Sequence, residues 1–372
     1  MPIFQSSPVR RSRVESYLLL TLIALALSVI VTRVFLQLTG YPQLGGSGLH
    51  IAHVLWGGLL LYIAALLPLI VVNRWALPVS AVLNGVGVGL FIDEVGKFIT
   101  RDNDYFYRPA APIIYAFFLL SVLLFLYVRK PRQPSPREAM YHATEELPQL
   151  IERPLSVNER TYLATQLQLA QQANARSLCR LATVLNDFVR DERVPVADTA
   201  PGLWGKSKQQ FAVQVKRLPR WYYRVLIAGF LFVSGFLALL EVVFLLIAVL
   251  APDTFNPRAL LFLITADELR SVSDGLWFQV RIFLQGAVGI VEWVACFLLL
   301  TRREARGLQI AIFAFVLSLT TVVLLTFYLD QFGALTGTLL QFALLLSVLT
   351  YRRWYWNYPT DDMPGWASND AG

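Results

Sequence analysis

Eight apolar runs, each long enough to cross a lipid bilayer, leave this chain of 372 residues very few folds to choose from. They lie at about 16–39, 49–72, 76–100, 109–128, 222–250, 276–300, 307–329 and 333–351, and a helix needs ~17–25 mainly apolar residues to span the hydrocarbon. In that layer every backbone N–H and C=O must be bonded internally, so runs of this length become helices. The fold class that follows is all-α, a polytopic transmembrane helical bundle of about eight spans in a 4+4 order. Only 15% of the residues are charged, where soluble domains carry about 25%. Arg10, Arg11 and Arg13 precede the first run in the manner of a secretory leader. That run is longer than a leader's apolar core and lacks a convincing cleavage site, so an uncleaved first span is expected.

Basic residues set the expected orientation. With both termini inside, 25 of the 32 Lys and Arg fall on the cytoplasmic side, 16 of them in residues 129–224, as the positive-inside rule requires. The net charge of +7 is thereby read as a topology signal and a contact with the bilayer surface, not as a nucleic-acid footprint. The expected domains are a first membrane half (1–128), a helical cytoplasmic insert with an interfacial helix (129–221), a second membrane half (222–358) and a flexible cytoplasmic tail (359–372). Cys179 falls in the insert and Cys296 in the inner half of the sixth run, so no disulfide is expected.

The third run meets three ionisable side chains, Asp93, Glu94 and Lys97, before it leaves the lipid. A charge at mid-bilayer costs at least ~2.5–3.5 kcal/mol, so these residues need partners or a wet cavity. On one continuous helix Gly85, Gly89 and Gly96 share a stripe that admits a neighbouring backbone, and Asp93 and Lys97 stand in the favourable order for an ion pair. Glu94 points about 100° away from Asp93 and requires a different partner. Arg33 lies about six residues, ~9 Å, inside the outer end of the first run, where it either snorkels outward or pairs with an acid on a neighbour.

His50 and His53 share a face at the outer mouth of the second run, level with Asp93 and Glu94 on the returning third. Two imidazoles and two carboxylates at one depth suit a divalent metal site or a proton relay, or simply hydrogen bonds to headgroup water. No other cofactor is indicated. Asp102 and Asp104 follow, with Tyr105, Phe106 and Tyr107 as an aromatic anchor in the headgroups.

The insert opens with two capping boxes, Ser135…Glu138 and Ser156…Glu159, the second starting a helix expected to run to about Asp191 with Leu163, Leu167, Leu178, Leu181, Leu185 and Phe188 as its apolar stripe. It carries no phosphate loop, metal-ligand cluster or nucleophile motif. Residues 135–205 are the stretch on which a cytoplasmic protein partner would dock. Lys206–Arg224 is expected to be an interfacial helix. In the second half Glu241 and Arg281 are the favoured interhelical pair, while Glu292 lies deeper, with Gln285, Arg302 and Arg303 as candidate partners. Tyr351 begins an interface anchor of arginine and aromatic residues. Apart from Glu292, the ionisable residues within or at the edge of the membrane lie toward the outside, Asp330 among them.

The His-x-x-His pair followed by glycines, then a Gly-x-Gly-rich run ending in Asp-Glu, carried by His50, His53, Gly57, Gly58, Gly85, Gly87, Gly89, Asp93 and Glu94, resembles a loose group of uncharacterised bacterial polytopic membrane proteins. The resemblance covers about fifty residues and implies a bacterial inner membrane; it supplies no reaction. Three functions remain open. In a transporter or ion-coupled protein, His50, His53, Asp93, Glu94, Lys97, Arg33, Glu241 and Arg281 would bind a cation, proton or polar solute, although no pair of clearly broken helices stands out in the sequence. In a metal-dependent hydrolase or transferase acting on a lipid-linked substrate, His50, His53, Asp93 and Glu94 would hold the metal. In an assembly or sensing protein, the buried charges would serve helix pairing alone.

Overall fold

The computed structural model describes residues 7–40, 52–102, 104, 107–129, 133–191, 194–197, 220–250, 272–301 and 303–356. Eight of its helices are long and apolar enough to cross a membrane, and the protein is an all-α, multi-pass membrane protein. Span 1 is Val14–Thr39, span 2 His53–Ile70, span 3 Ala76–Asp93, span 4 Ala110–Val128, span 5 Arg220–Leu250, span 6 Val272–Leu300, span 7 Glu304–Asp330 and span 8 Leu335–Trp356. By their contacts the residues form two compact units, Met1–Val95 with Leu120–Gln210, and Gly96–Leu119 with Phe211–Gly372.

In the first unit, span 3 is gripped from two sides. Residues two apart on a helix point about 200° apart, so the run Gly85-x-Gly87-x-Gly89 serves two neighbours. A Cβ on Gly85 would stand 2.3 Å from the carbonyl oxygen of Thr21 in span 1, and one on Gly89 would stand 2.7 Å from Ser28 Cβ. A Cβ on Gly87 would instead meet span 2, 2.9 Å from the carbonyl oxygen of Gly57. Such approach lets hydroxyls reach across to backbone: Thr21 Oγ1 donates to the Ala81 carbonyl at 3.1 Å, Ser28 Oγ to Val86 at 3.1 Å, and Ser80 Oγ to Ala64 at 2.7 Å.

The insert packs with these spans. Helix Pro136–Glu146 begins as the sequence indicates, with Ser135 accepting from Glu138 N at 3.2 Å and proline in the first turn. Ser156 and Glu159 form the second capping box reciprocally. The bond from Arg153 holds the Glu159 carboxyl down at about 2, well under its ordinary value. The long helix expected from this box is two helices, Val157–Ala170 and Arg176–Arg190, joined by a turn. Folding back lets Leu163 and Leu167 bury against Ala182 and Val189 in one small core, which a single rod could not do. Leu178 and Leu185 pack on that core, whereas Leu181 and Phe188, expected in the stripe, are exposed. Leu155–Ser156 and Val196–Ala197 close the insert as a two-stranded parallel ladder.

Polar side chains fasten the insert to one end of the three-span bundle. The Arg74 guanidinium, in the connection between spans 2 and 3, donates to both Glu146 oxygens at 2.5 and 2.6 Å. Asn73 donates to Glu152 at 2.6 Å, and the Ser12 amide to Glu145 at 2.9 Å. The N-terminal segment, the span 2–3 connection and the insert therefore meet at one end of the unit.

The second unit has its own core of Leu231, Ala295, Leu299, Leu308, Ala311 and Phe315, among others. Spans 5 and 6 touch backbone to backbone: a Cβ on Gly235 would come 2.7 Å from the Gly289 carbonyl oxygen. Span 7 carries a π-helical segment, Ser318–Val322, where Tyr115 from span 4 donates its hydroxyl to the Leu319 carbonyl at 2.8 Å. Tyr351, expected at the lipid interface, is buried; its hydroxyl donates to Glu304, which also accepts from Arg220 at 3.2 Å. Trp221–Arg224 belong to span 5 itself, and residues 206–219 lie outside the described residues.

Gly85→Ala is expected to lower the thermal stability of the purified protein by ~1–3 kcal/mol, the usual cost of overpacking. Gly58→Ala, whose added Cβ meets nothing within 4 Å, is its control and should leave the melting curve unmoved.

Candidate functional site

Span 3 ends at Asp93, and a short helix, Val95–Ile99, resumes after Glu94, whose backbone sits at φ −93°, ψ 10°. That is the bridge region between helix and strand, common at active sites and turns. The apolar run predicts one helix through to residue 100; the structure interrupts it at the paired acids. The stripe from Gly85 and Gly89 to Gly96 is broken there, and so is the helical register that would set Lys97 one turn above Asp93.

Both acids are withdrawn from solvent, Asp93 at 0% and Glu94 at 1% exposure. Arg33, itself buried, settles between its two sequence alternatives: Nε donates to Asp93 Oδ1 at 2.5 Å and Nη2 to the Asp93 carbonyl at 3.1 Å. The glycine contacts explain the reach, because they seat span 1 directly on span 3. From span 2, His53 places Nε2 3.2 Å from Asp93 Oδ2 and Nδ1 3.2 Å from Glu94 Oε1. Two adjacent residues on an unbroken helix could not both face one imidazole. The break re-aims Glu94, so the acid expected to need a different partner shares the same one.

This constellation stands at the end of the bundle opposite the insert, since His53 opens span 2 and Arg74 follows its close. The helical levels inferred for His53, Asp93 and Glu94 agree with what is found. His50 lies outside the described residues, as do Tyr105 and Phe106. Lys97 is half-buried on Val95–Ile99.

The chemistry follows from counting hydrogen atoms. A neutral imidazole carries one N–H, yet both ring nitrogens face carboxylate oxygens. The cluster thus sets one imidazole and two carboxylates beside an arginine whose charge is fixed. A divalent cation here would have to displace the Arg33 guanidinium from Asp93 and turn one imidazole nitrogen off its carboxylate. Among the described residues, no group of three His, Cys, Asp or Glu side chains is disposed to hold a metal.

No family model, curated protein or solved structure matches the chain.

The second unit holds the other expected pair. Arg281 Nη2 lies 3.6 Å from Glu241 Oε2, and Nη1 donates to Gln285 Oε1 at 3.1 Å. Gln285 is thereby engaged by Arg281, not by Glu292 as the sequence allowed. Asp330 adds a second acid whose charge Arg281 feels, and Gln331 just beyond it adopts φ +47°, a strained angle for a side-chain-bearing residue. Asp253, Asp267 and Glu268 lie outside the described residues.

Sequence reasoning missed the break at Glu94, the π segment at Ser318–Val322 and the Arg220–Glu304–Tyr351 lock. The first had a legible signal in two adjacent acids where one helix can direct only one at a given neighbour.

Because Arg33 and Asp93 are buried together, losing either partner strands the other. Arg33→Met and Asp93→Asn are each expected to cost ~3–5 kcal/mol of stability, with the double variant less destabilised than the sum of the two. Thermal unfolding in detergent measures all three.

Proposed function

We propose that this is a transport or ion-coupling protein of a bacterial inner membrane, with both termini cytoplasmic, in which Asp93, Glu94 and His53 bind and release a proton against the fixed charge of Arg33. The observation that carries this reading is the pair of fully buried carboxylates at the interruption of span 3, sharing one imidazole. Ionisable residues inside a membrane are costly and generally functional. Interrupted helices mark ion and substrate sites in many transporters because they put backbone and charge where a passing ion can reach them. Among the described residues span 3 is interrupted at Glu94, and span 7 departs from α-helix in the π-helical segment Ser318–Val322.

The proton is the favoured species because the cluster already holds a cation. With Arg33 on Asp93, gaining or losing one proton changes its net charge with no ligand to displace. The insert, fastened to the span 2–3 connection by Arg74 and Glu146, keeps company with the N-terminal arginines. That supports assigning their common end to the cytoplasm, which leaves the His53 cluster facing outward. The resemblance to bacterial polytopic proteins supports the membrane assigned.

Protein reconstituted into liposomes with an entrapped pH-sensitive dye is expected to move protons under an imposed pH difference, alone or with one of a panel of polar solutes. Asp93→Asn and Glu94→Gln should each reduce the flux at least tenfold. Flux equal in the parent and both variants, or none with any proton, sodium, potassium or solute gradient, would contradict the reading.

A further inference from the structure

Glu292 takes no part in the cluster just described. It lies in span 6 with 4% of its surface exposed, and the Ser234 hydroxyl of span 5 donates to its carboxyl group. Among the described residues no lysine, arginine or histidine forms an ion pair with it.

The walls around it are apolar or small. Span 5 approaches on Gly235, closing on Gly289 one turn before Glu292. Span 7 packs Ala311 and Phe315 in one core with Ala295 and Cys296 of span 6, and Ala314 in another with Val288. Cys296, one turn further along span 6, donates its thiol to the Ala228 carbonyl at 3.2 Å. Apart from Cys296, the charged and titratable groups described on the packed elements gather toward the two ends of the unit. Glu241 and Asp330 surround Arg281 at one end, eleven residues or ~16 Å along the helix from Glu292. Arg220, Glu304 and Tyr351 are joined at the other, where Arg224 also begins span 5.

Arg302, a candidate partner in the sequence, lies outside the described residues, and among those described a carboxylate in such a place would keep its charge with one hydroxyl as compensation. Buried acids without a cation neutralise by taking up a proton. We propose that Glu292 is a proton-binding site of the second unit, occluded between the two charge clusters. It holds its proton as a neutral carboxylic acid with Ser234 positioning the carbonyl oxygen, and gives that proton up only when the packing of spans 5, 6 and 7 loosens toward one end. Release leaves a carboxylate and one proton, with no other reactant. The π segment on span 7 supplies a place where such loosening is inexpensive, since an extra residue in the turn weakens the regular ladder there. This site is separate from His53, Asp93 and Glu94, and its fate does not depend on theirs.

Infrared spectroscopy of the full chain in bilayers tests the proposal. Near neutral pH the parent should show the carbonyl stretch of a protonated carboxylic acid that is missing in Glu292→Gln. The band should persist in Ser234→Ala but move to higher frequency for want of the hydroxyl. It should also persist in Asp93→Asn and Glu94→Gln, which separates this site from the other. If Glu292→Gln does not fold, the shift in Ser234→Ala carries the assignment alone. A parent spectrum identical to that of folded Glu292→Gln in this region, or a Ser234→Ala spectrum with no shift, would overturn it. So would loss of the band on adding sodium at constant pH, which would make Glu292 a metal-cation site.

Discussion

A charge cannot stay in a bilayer without bringing its compensation along, and the first unit of this protein is arranged to meet that requirement. Asp93 is buried because Arg33 comes with it, at 2.5 Å. Arg33 reaches it because span 1 lies against the backbone of span 3, and that contact exists because Gly85 and Gly89 present nothing but hydrogen to Thr21 and Ser28. Gly87, turned half a revolution away, does the same for span 2 and delivers His53. The polar cluster and the glycine pattern are one device. Widen either interface and the acids are left in lipid with a charge that costs several kcal/mol to keep.

The interruption of span 3 adds a second layer. A continuous helix would have turned Glu94 away from the imidazole that serves Asp93. Ending the helix one residue earlier frees Glu94 to share it, and the result is two acids and one imidazole beside a permanent cation. Span 7 is irregular as well, through its π segment, and Tyr115 donates there to the buried Leu319 carbonyl. Glu94 and, in the π segment, Ser318, Leu319 and Val322 are buried, and irregular backbone at membrane depth is tolerated where it is buried in protein or lines a water-filled cavity.

Much of this was legible in the residues, and the remainder failed for identifiable reasons. The eight spans follow from run length alone, because backbone satisfaction in hydrocarbon leaves no alternative to helix. Both capping boxes of the insert were readable, since their hydrogen bonds are local. Glu241 with Arg281 follows from matching depths along antiparallel spans, whereas depth leaves Arg33 between snorkelling outward and an acid on a neighbour, which the structure gives as Asp93. Where the outcome depended on three-dimensional contacts, periodicity gave the wrong answer. The helix after Ser156 folds back to bury Leu163 against its second half, and Tyr351, aromatic and near an interface, turns inward to hold Glu304. Glu292 was recognised as isolated, but its hydroxyl partner was not, because serine in an apolar run carries no signal of what it faces.

The account rests on His53 standing between Asp93 and Glu94, and the imidazole itself can report on that. In protein labelled with nitrogen-15 histidine and studied in bilayers, with the His53 signals assigned by their loss in His53→Gln, each ring nitrogen should have its own acid. Asp93→Asn is expected to shift Nε2 more, and Glu94→Gln to shift Nδ1 more. A His53 spectrum that matches free imidazole in water and is unmoved by either substitution would contradict the account.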